Sequence, residues 1–283
     1  MKKNLLILAS LFTVIAGCSK PTHTSTIQTQ NPTGIIGGEA AKSTDAVTAS
    51  TVSLVMNYMG RAHSFCTGTL ISENLVLTAT HCLQDMDIDK FGIFFGETLP
   101  QSFDDVNIRK VKAAVTHPGY KFELDPVENV FTGFNDIGLV MIEGEAPSFA
   151  KPVAILNDTL LSIGQKLLLA GYGLVNEVSV PAQKATGLNF VHVTIAKLFS
   201  NIIVTEQSNA QGACAGDSGG PAYLETENGL IVLGITRGPH NLARDCRHWG
   251  EYTYASRFKD HILESAQKMG AEAPVFVDAP AGL

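Results

Sequence analysis

The chain of 283 residues carries 27 acidic and 20 basic residues, so its formal net charge is −7 at pH 7. With 45% hydrophobic and only 17% charged residues, this length can bury one large core or two smaller ones, and it does not fit a disordered protein. Residues 1–34 contribute three lysines and no acid, so the remaining chain carries −10. This acidic balance argues against a nucleic-acid partner.

The N-terminus predicts export. A lysine pair is followed by an apolar run at residues 5–16, too short to span a bilayer, so residues 1–17 are predicted to be a signal peptide. The sequence Ile-Ala-Gly-Cys ending at Cys18 resembles a bacterial lipobox, in which the cysteine carries lipid. The alternative is an ordinary signal peptide with an incidental cysteine. Residues 18–34 are polar and are predicted to form a spacer or propeptide, and Ser19 resembles the residue that directs lipoproteins to the outer membrane.

The cysteine count agrees with this interpretation. An exported chain with five cysteines leaves one unpaired, and lipidation of Cys18 would account for it. Four cysteines allow three connectivities, of which pairing between neighbours in sequence is the simplest. The four are Cys66, Cys82, Cys214 and Cys246.

After residue 34, short runs rich in Val, Ile, Leu, Thr and Phe recur between Gly, Pro, Asn and Asp. This spacing favours an all-β barrel or sandwich. The clearest runs are residues 52–58, 75–79, 91–95, 137–142, 166–170 and 230–236. Only the C-terminal segment has helical periodicity, an apolar stripe formed by Phe258, Ile262, Ala266 and Met269.

One serine stands out because four glycines and an aspartate surround it in the sequence QGACAGDSGGPAY, residues 211–223. A serine hydroxyl is a weak nucleophile unless a base accepts its proton and a third group orients that base. His81 follows an apolar strand and precedes Cys82, while Asp136 stands at the start of another apolar strand. Each of these residues is also compatible with a purely structural role.

Taken in order, the motifs TATHC, NDIGLV and GDSGGP, together with IIGG at residues 35–38 and FCTGTLIS at residues 65–72, resemble the chymotrypsin/trypsin family of serine endopeptidases. The resemblance covers about residues 35–270. It implies two antiparallel six-stranded β-barrels, at about residues 35–145 and 146–255, and a C-terminal α-helix at about 256–270, within a protease domain at 35–283. It also implies a protein or peptide substrate.

The resemblance assigns roles to individual residues. Ser218 attacks the scissile carbonyl, His81 is the general base and acid, and Asp136 orients the imidazole. The backbone N–H groups of Gly216 and Ser218 form the oxyanion hole. Disulfides and a catalytic serine require no cofactor, so none is expected, and a monomer is the default expectation.

An activation step is implied as well. In the family, an aspartate matching Asp217 pairs with an N-terminal amine released by cleavage, and here that amine belongs to Ile35. The residue before the cut is Gly34 rather than lysine or arginine, so the activating protease need not be trypsin-like. Because Cys18 precedes the cut, activation would release the enzyme from the membrane.

The specificity pocket follows from the same resemblance. Gly212 takes the position of its floor, Gly238 and Gly250 those of its wall glycines, and Thr236 that of a serine bonded to the catalytic carboxylate. This predicts a roomy, apolar pocket that prefers large apolar side chains. Two alternatives remain open at this stage: basic specificity through an inward-facing acid, or acidic specificity through an inward-facing cation. The residues concerned are Asp245 and Glu251 for the first, and Arg237 and His248 for the second.

Other features carry weaker expectations. Residues 121–134 form a long acidic stretch that is expected to overhang the cleft, where it would narrow substrate access; the alternative is a surface loop with solvated acids. Glu97 with Asp104 or Asp105 only loosely resembles a calcium loop, so no metal is predicted. The competing functions are a non-catalytic binding module of this fold and an esterase. The complete set of serine, histidine and aspartate argues against the first, and the IIGG and GDSGGP motifs against the second.

Overall fold

Short apolar runs form strands throughout the part of the chain that this computed structural model describes, namely residues 35–158, 160–241 and 245–280. The predictions for residues 1–34, including Cys18, concern residues outside this part. No helix in the described ranges is both long enough and apolar enough to cross a membrane. In chain order the elements are β1 (Glu39–Ala40), α1 (Ala46–Ser50), β2 (Thr51–Tyr58), β3 (Arg61–Ser72), β4 (Leu75–Thr78), β5 (Phe91–Phe95), β6 (Ile108–Thr116), β7 (Lys121–Asp125), β8 (Val130–Phe134), β9 (Gly138–Ile142), β10 (Ala154–Leu156), β11 (Lys166–Gly171), β12 (Leu174–Asn176), β13 (Gln183–Lys184), β14 (Asn189–Leu198), β15 (Ile202–Glu206), β16 (Pro221–Thr226), β17 (Gly229–Pro239), β18 (Trp249–Tyr254), α2 (Lys259–Met269) and β19 (Phe276–Val277).

The first six-stranded barrel closes in the order β2-β3-β4-β9-β6-β5, with every pairing antiparallel. Its interior is filled by side chains that are fully excluded from solvent, among them Leu54, Leu70, Leu77, Ile93 and Leu139. Full closure leaves no unpaired strand edge, so the barrel is a rigid support for residues at its strand ends.

The second barrel runs β16-β11-β14-β15-β18-β17 and closes through pairing of β16 with β17. The predicted all-β fold of two antiparallel six-stranded barrels is therefore confirmed. The predicted C-terminal helix is also present as α2, where Ile262 and Ala266 are buried and Gly270 ends the helix at a φ of 70°.

Three features differ from the sequence expectation. Residues 35–40, assigned to the first barrel, lie against the second: β1 pairs with β14, and Ile36 exchanges two 3.0 Å backbone hydrogen bonds with Gly212. Residues 121–134 form the hairpin β7–β8 rather than an irregular loop. Finally, β10 pairs in parallel with both β17 and β19, so the chain after α2 returns to the second barrel.

Buried tyrosine hydroxyl groups join the two barrels. The Tyr223 hydroxyl, from the second barrel, lies 2.8 Å from Ser50 Oγ and 3.0 Å from Thr51 Oγ1. Tyr172 donates to the Gly96 carbonyl at 2.7 Å. Because these hydroxyl groups are buried and paired across the boundary, they hold the two barrels in one relative position, with the cleft between them.

Candidate active site

The pairing of β4 with β9 brings His81 and Asp136 together. His81 lies in a 3-10 turn just after β4, Asp136 lies just before β9, and Thr78 is paired with Gly138. The Asp136 carboxylate is only 2% exposed and accepts two hydrogen bonds from His81, from the backbone N–H at 2.9 Å and from Nδ1 at 2.6 Å. A carboxylate facing Nδ1 favours the tautomer that leaves Nε2 free to accept a proton.

The Cys66–Cys82 disulfide fastens the His81 turn to β3, and a second disulfide joins Cys214 to Cys246. The pairing of sequence neighbours is therefore the one present. Thr80 adds a further tie, since its hydroxyl donates to the Ile137 carbonyl at 2.5 Å. These links make the His81–Asp136 pair a fixed part of the first barrel.

Ser218 lies on the other side of the cleft, in the loop between β15 and β16. The loop is held by backbone bonds from Thr67 N–H to the Ser218 carbonyl and from Gly219 N–H to the Thr236 carbonyl, both 2.8 Å. Gly219 adopts a φ of 80°, and a Cβ there would overlap Thr78 and Thr67, so the close contact with the first barrel requires glycine. Ser218 and His81 line the same cavity, but the described residues include no hydrogen bond between their side chains.

Two N–H groups of the Ser218 loop take no part in the hydrogen bonds that hold the loop together. The Ala215 carbonyl accepts from Leu174 N–H at 2.8 Å, and the Asp217 carbonyl accepts from Gly220 N–H at 2.9 Å. In a trans peptide the N–H points opposite to the carbonyl, so Gly216 N–H and Ser218 N–H point away from these partners. Neither N–H donates to any of the described residues. The two are therefore available to a bound molecule.

Asp217 is buried beside this loop without a cation. Its carboxylate is fully excluded from solvent and accepts from Gly173 N–H at 2.8 Å and from Cys214 N–H at 2.9 Å. No Lys, Arg or His side chain in the described ranges forms an ion pair with it. Burial raises the pKa of Asp217 to about 7, although the two N–H donors act in the opposite direction.

Residues 35–262 match the family model for trypsin. The chain belongs to the trypsin family. It is 25% identical over 279 residues to a trypsin of Phaedon cochleariae, an alignment covering 93% of this chain and all of the relative. It is 27% identical to the lectizyme of Glossina austeni, covering 90% and 97% of the two chains, and 27% identical to trypsin epsilon of Drosophila erecta, covering 72% and 79%. The protein is accordingly a serine endopeptidase.

The specificity pocket of this trypsin-family enzyme differs from the sequence expectation. The cavity that Ser218 and His81 both line has a volume of about 220 Å³. Thr236 and Gly238 line it, but Gly212 and Gly250 do not, because the buried side chain of Gln207 lies between these two glycines. Nothing in the sequence around Gln207 marks this residue as part of the pocket.

Thr236 also differs from the expected role. Its hydroxyl donates to the Gly220 carbonyl at 3.0 Å rather than to the Asp136 carboxylate. Thr253 instead bonds Asp136, but through the Asp136 backbone carbonyl at 2.9 Å. The side chain of Thr236 therefore supports the Ser218 loop and does not contact the Asp136 carboxylate.

The charged residues considered for specificity are engaged elsewhere. Arg237 lines the cavity with its stem, but its guanidinium donates to Thr132 at 2.8 Å and to the Gly133 carbonyl of the β7–β8 hairpin. The Glu251 carboxylate is 2.6 Å from His240 Nδ1 and also accepts from Thr132. Asp245 pairs with Arg247 at 3.1 Å, and His248 is exposed. None of these four places a free charge in the pocket.

Arg237 and Glu251 fasten the hairpin over the cleft. Both are nearly inaccessible to solvent, with Nε of Arg237 3.9 Å from a Glu251 oxygen. Glu128, on the hairpin, joins the same cluster through His240 at 3.5 Å and Lys197 at 2.7 Å. The hairpin is therefore anchored to the second barrel through β8 and Glu128, while residues 121–124 of β7 stay exposed.

Replacing Glu251 by alanine is expected to lower the free energy of unfolding by about 3 kcal/mol, because it leaves the Arg237 guanidinium buried without its counter-ion. Urea denaturation measures the change. The matched control is Glu225→Ala, which removes an exposed pair with His192 and should cost less than about 1 kcal/mol. Equal effects of the two substitutions would show that the buried pair does not stabilise the hairpin.

Two groups of three potential metal ligands occur among the described residues: Cys66, His81 and Cys82, and Glu177, Cys214 and Cys246. In each group both sulfur atoms belong to a disulfide. Since thiolates, not disulfide sulfurs, bind metals, neither group is suited to hold an ion.

Proposed function

We propose that Ser218, His81 and Asp136 hydrolyse peptide bonds through an acyl-enzyme. Ser218 Oγ attacks the scissile carbonyl carbon while His81 Nε2 takes its proton, and the imidazolium then protonates the leaving amine. Water, deprotonated by the same histidine, releases the acyl group and restores the serine. The observation that carries this proposal is the buried Asp136 carboxylate 2.6 Å from His81 Nδ1, at a cavity that Ser218 also lines.

The N–H groups of Gly216 and Ser218 are proposed to stabilise the negative oxygen of the tetrahedral intermediate. Their lack of an acceptor among the described residues supports this role. The Gly216 carbonyl accepts from the Thr67 hydroxyl at 2.9 Å. This bond fixes the orientation of the peptide group between Gly216 and Asp217, which separates the two N–H donors. Preorganised donors of this kind contribute because they need no rearrangement as charge develops.

We further propose that the enzyme is made as a zymogen and activated by a protease that cuts between Gly34 and Ile35. The new ammonium group of Ile35 would pair with Asp217. Two observations support this: Asp217 is buried with only two N–H donors, and the Ile35 side chain is already buried in the core of the second barrel. A buried carboxylate without a cation is costly, so pairing would stabilise the Ser218 loop.

The location of the protein follows in part from its chemistry. Two disulfides favour an oxidising, extracytoplasmic compartment. The finer proposal, a lipid on Cys18 that anchors the zymogen to the cell envelope until cleavage releases it, rests on the sequence of residues 15–18 alone. Fractionation tests it: active enzyme beginning at Ile35 should be absent from membranes, and active enzyme retained there would contradict the release.

Controlled activation tests the proposed function. The full chain is prepared with the recognition sequence of enteropeptidase in place of residues 30–34, so that cutting exposes Ile35. The cut protein should hydrolyse casein and the uncut protein should not, while cut Ser218→Ala should have no activity above background. Casein hydrolysis by cut Ser218→Ala at the wild-type rate would refute the assignment of the nucleophile.

A further inference from the structure

We propose that Gln207 closes the inner half of the substrate pocket, so that the enzyme cuts after residues with short side chains such as alanine, valine and threonine. The inference deepens the proposed function and rests on it. It concerns the pocket that receives the residue preceding the scissile bond, beside Ser218.

Gln207 follows β15 directly, and its side chain is completely excluded from solvent. The carboxamide Nε2 donates to the carbonyls of Ala213 at 3.2 Å and Cys246 at 3.3 Å, and Oε1 accepts from Ala213 N–H at 3.2 Å. Ala213 and Cys246 both line the cavity. One neutral amide therefore joins the two walls of the pocket at its inner end.

The flanking glycines show that no space is left behind this amide. A Cβ built on Gly212 would overlap Gln207 Cγ, Cδ and Oε1, and a Cβ built on Gly250 would overlap the same Oε1. The carboxamide thus lies against both glycines. Glycine at these positions accommodates Gln207 rather than a substrate side chain.

Gln207 cannot readily move aside. Its backbone N–H donates to the His248 carbonyl at 2.7 Å, which fixes the main chain. Turning the side chain outward would break three hydrogen bonds and leave the Ala213 and Cys246 carbonyls and the Ala213 N–H buried without these partners, which is costly. The closed inner end is therefore a stable property of the folded pocket.

The cavity offers no counter-charge to a cationic side chain of a substrate. Its walls are Ala213, the Cys214–Cys246 disulfide, Thr236 and Gly238, and no carboxylate is present among the described residues that line it. Lysine or arginine would bury a charge without a partner, and an aromatic ring would collide with Gln207. By this proposal, Gln207 leaves room for a side chain with one to three heavy atoms.

Peptide hydrolysis measures the preference. The cut enzyme is assayed with succinyl-Ala-Ala-Pro-X p-nitroanilides in which X is Ala, Val, Phe or Arg. For wild type, kcat/KM for Ala and Val should exceed that for Phe and Arg by about 100-fold, the scale at which a pocket rejects a side chain by size. Gln207→Gly should reopen the pocket and raise the Phe/Ala ratio by at least about tenfold. The control is Gln165→Gly. It removes a side chain outside the cavity, one that accepts a hydrogen bond from Ser162 N–H, and should leave the ratio unchanged.

The substrate preference of the wild-type enzyme tests the proposal by itself. The proposal can therefore be decided even if Gln207→Gly does not fold. Phe or Arg substrates cut as fast as Ala by wild type would overturn it, as would a folded Gln207→Gly enzyme with an unchanged Phe/Ala ratio. Active sites are counted with a fluorophosphonate. Protein that is labelled and prefers Phe refutes only the pocket assignment, whereas protein that is neither labelled nor active refutes the proposed function and this inference with it.

Discussion

Asp136→Asn is expected to lower kcat by about four orders of magnitude, the loss given by the same change in the Ser-His-Asp template of this family. The carboxylate accepts hydrogen bonds from both the backbone N–H and Nδ1 of His81. An amide offers only one acceptor atom, and its NH₂ group facing Nδ1 would favour the tautomer with the proton on Nε2. That tautomer cannot accept the Ser218 proton. Steady-state hydrolysis of a peptide p-nitroanilide by the cut enzyme measures the loss.

Asp158→Asn is the matched control for this substitution, because Asp158 is an exposed acid whose partner is Arg257. It should retain wild-type activity. If Asp136→Asn keeps more than about a tenth of wild-type kcat, Asp136 does not set the tautomer of His81.

The uncut protein is expected to lose about 3 kcal/mol of stability between pH 4.5 and pH 8 through Asp217 alone. Burial raises the pKa of this carboxyl from 3.8 to about 7. A raised carboxyl pKa means that the folded state binds the proton more tightly than the unfolded state. The contribution is therefore complete below about pH 4 and is lost as pH rises through 7. Urea denaturation of the uncut protein at both pH values gives the difference.

Asp217→Asn isolates this contribution, since an amide does not titrate. Unlike the uncut wild type, the uncut variant should lose no stability through this position between pH 4.5 and pH 8. After cutting, the same variant should be inactive, because the Ile35 ammonium would be buried without a carboxylate. An uncut wild type whose pH dependence equals that of Asp217→Asn would contradict the account of an unpaired buried acid.

The sequence identified most of the barrel strands because they are short apolar runs whose ends carry turn residues. The run at residues 91–95 became β5 with the same bounds, and that at 166–170 became β11 with one residue more. Strand β19 could not be predicted, because two residues are too few to show an alternation of apolar and polar side chains. The position of residues 35–40 on the second barrel could not be predicted either. Their partner strand, β14, lies more than 140 residues later, so the pairing leaves no signal in the local sequence.

The candidate site was partly predictable for a chemical reason. A nucleophile, a base and an orienting acid are recognisable residue types, and His81 and Asp136 indeed lie in contact. Pocket depth is different, because it depends on which side chain fills the space beside the glycines. Gln207 reaches this space through the pairing of β15 with β18, which sets Thr205 opposite Gly250. A glycine motif alone therefore predicts an open pocket, whereas the side chain of Gln207 lies against two of these glycines, Gly212 and Gly250.

The reaction of the cut protein with a fluorophosphonate tests the central claim most directly, because this reagent bonds only to a serine activated by a neighbouring base. Mass spectrometry of the digested adduct should place the phosphonate on Ser218. His81→Ala should abolish the adduct, while His192→Ala, at an exposed histidine on β14, should not. An adduct on another residue, or one that forms equally without His81, would contradict the assignment of Ser218, His81 and Asp136 as the catalytic residues.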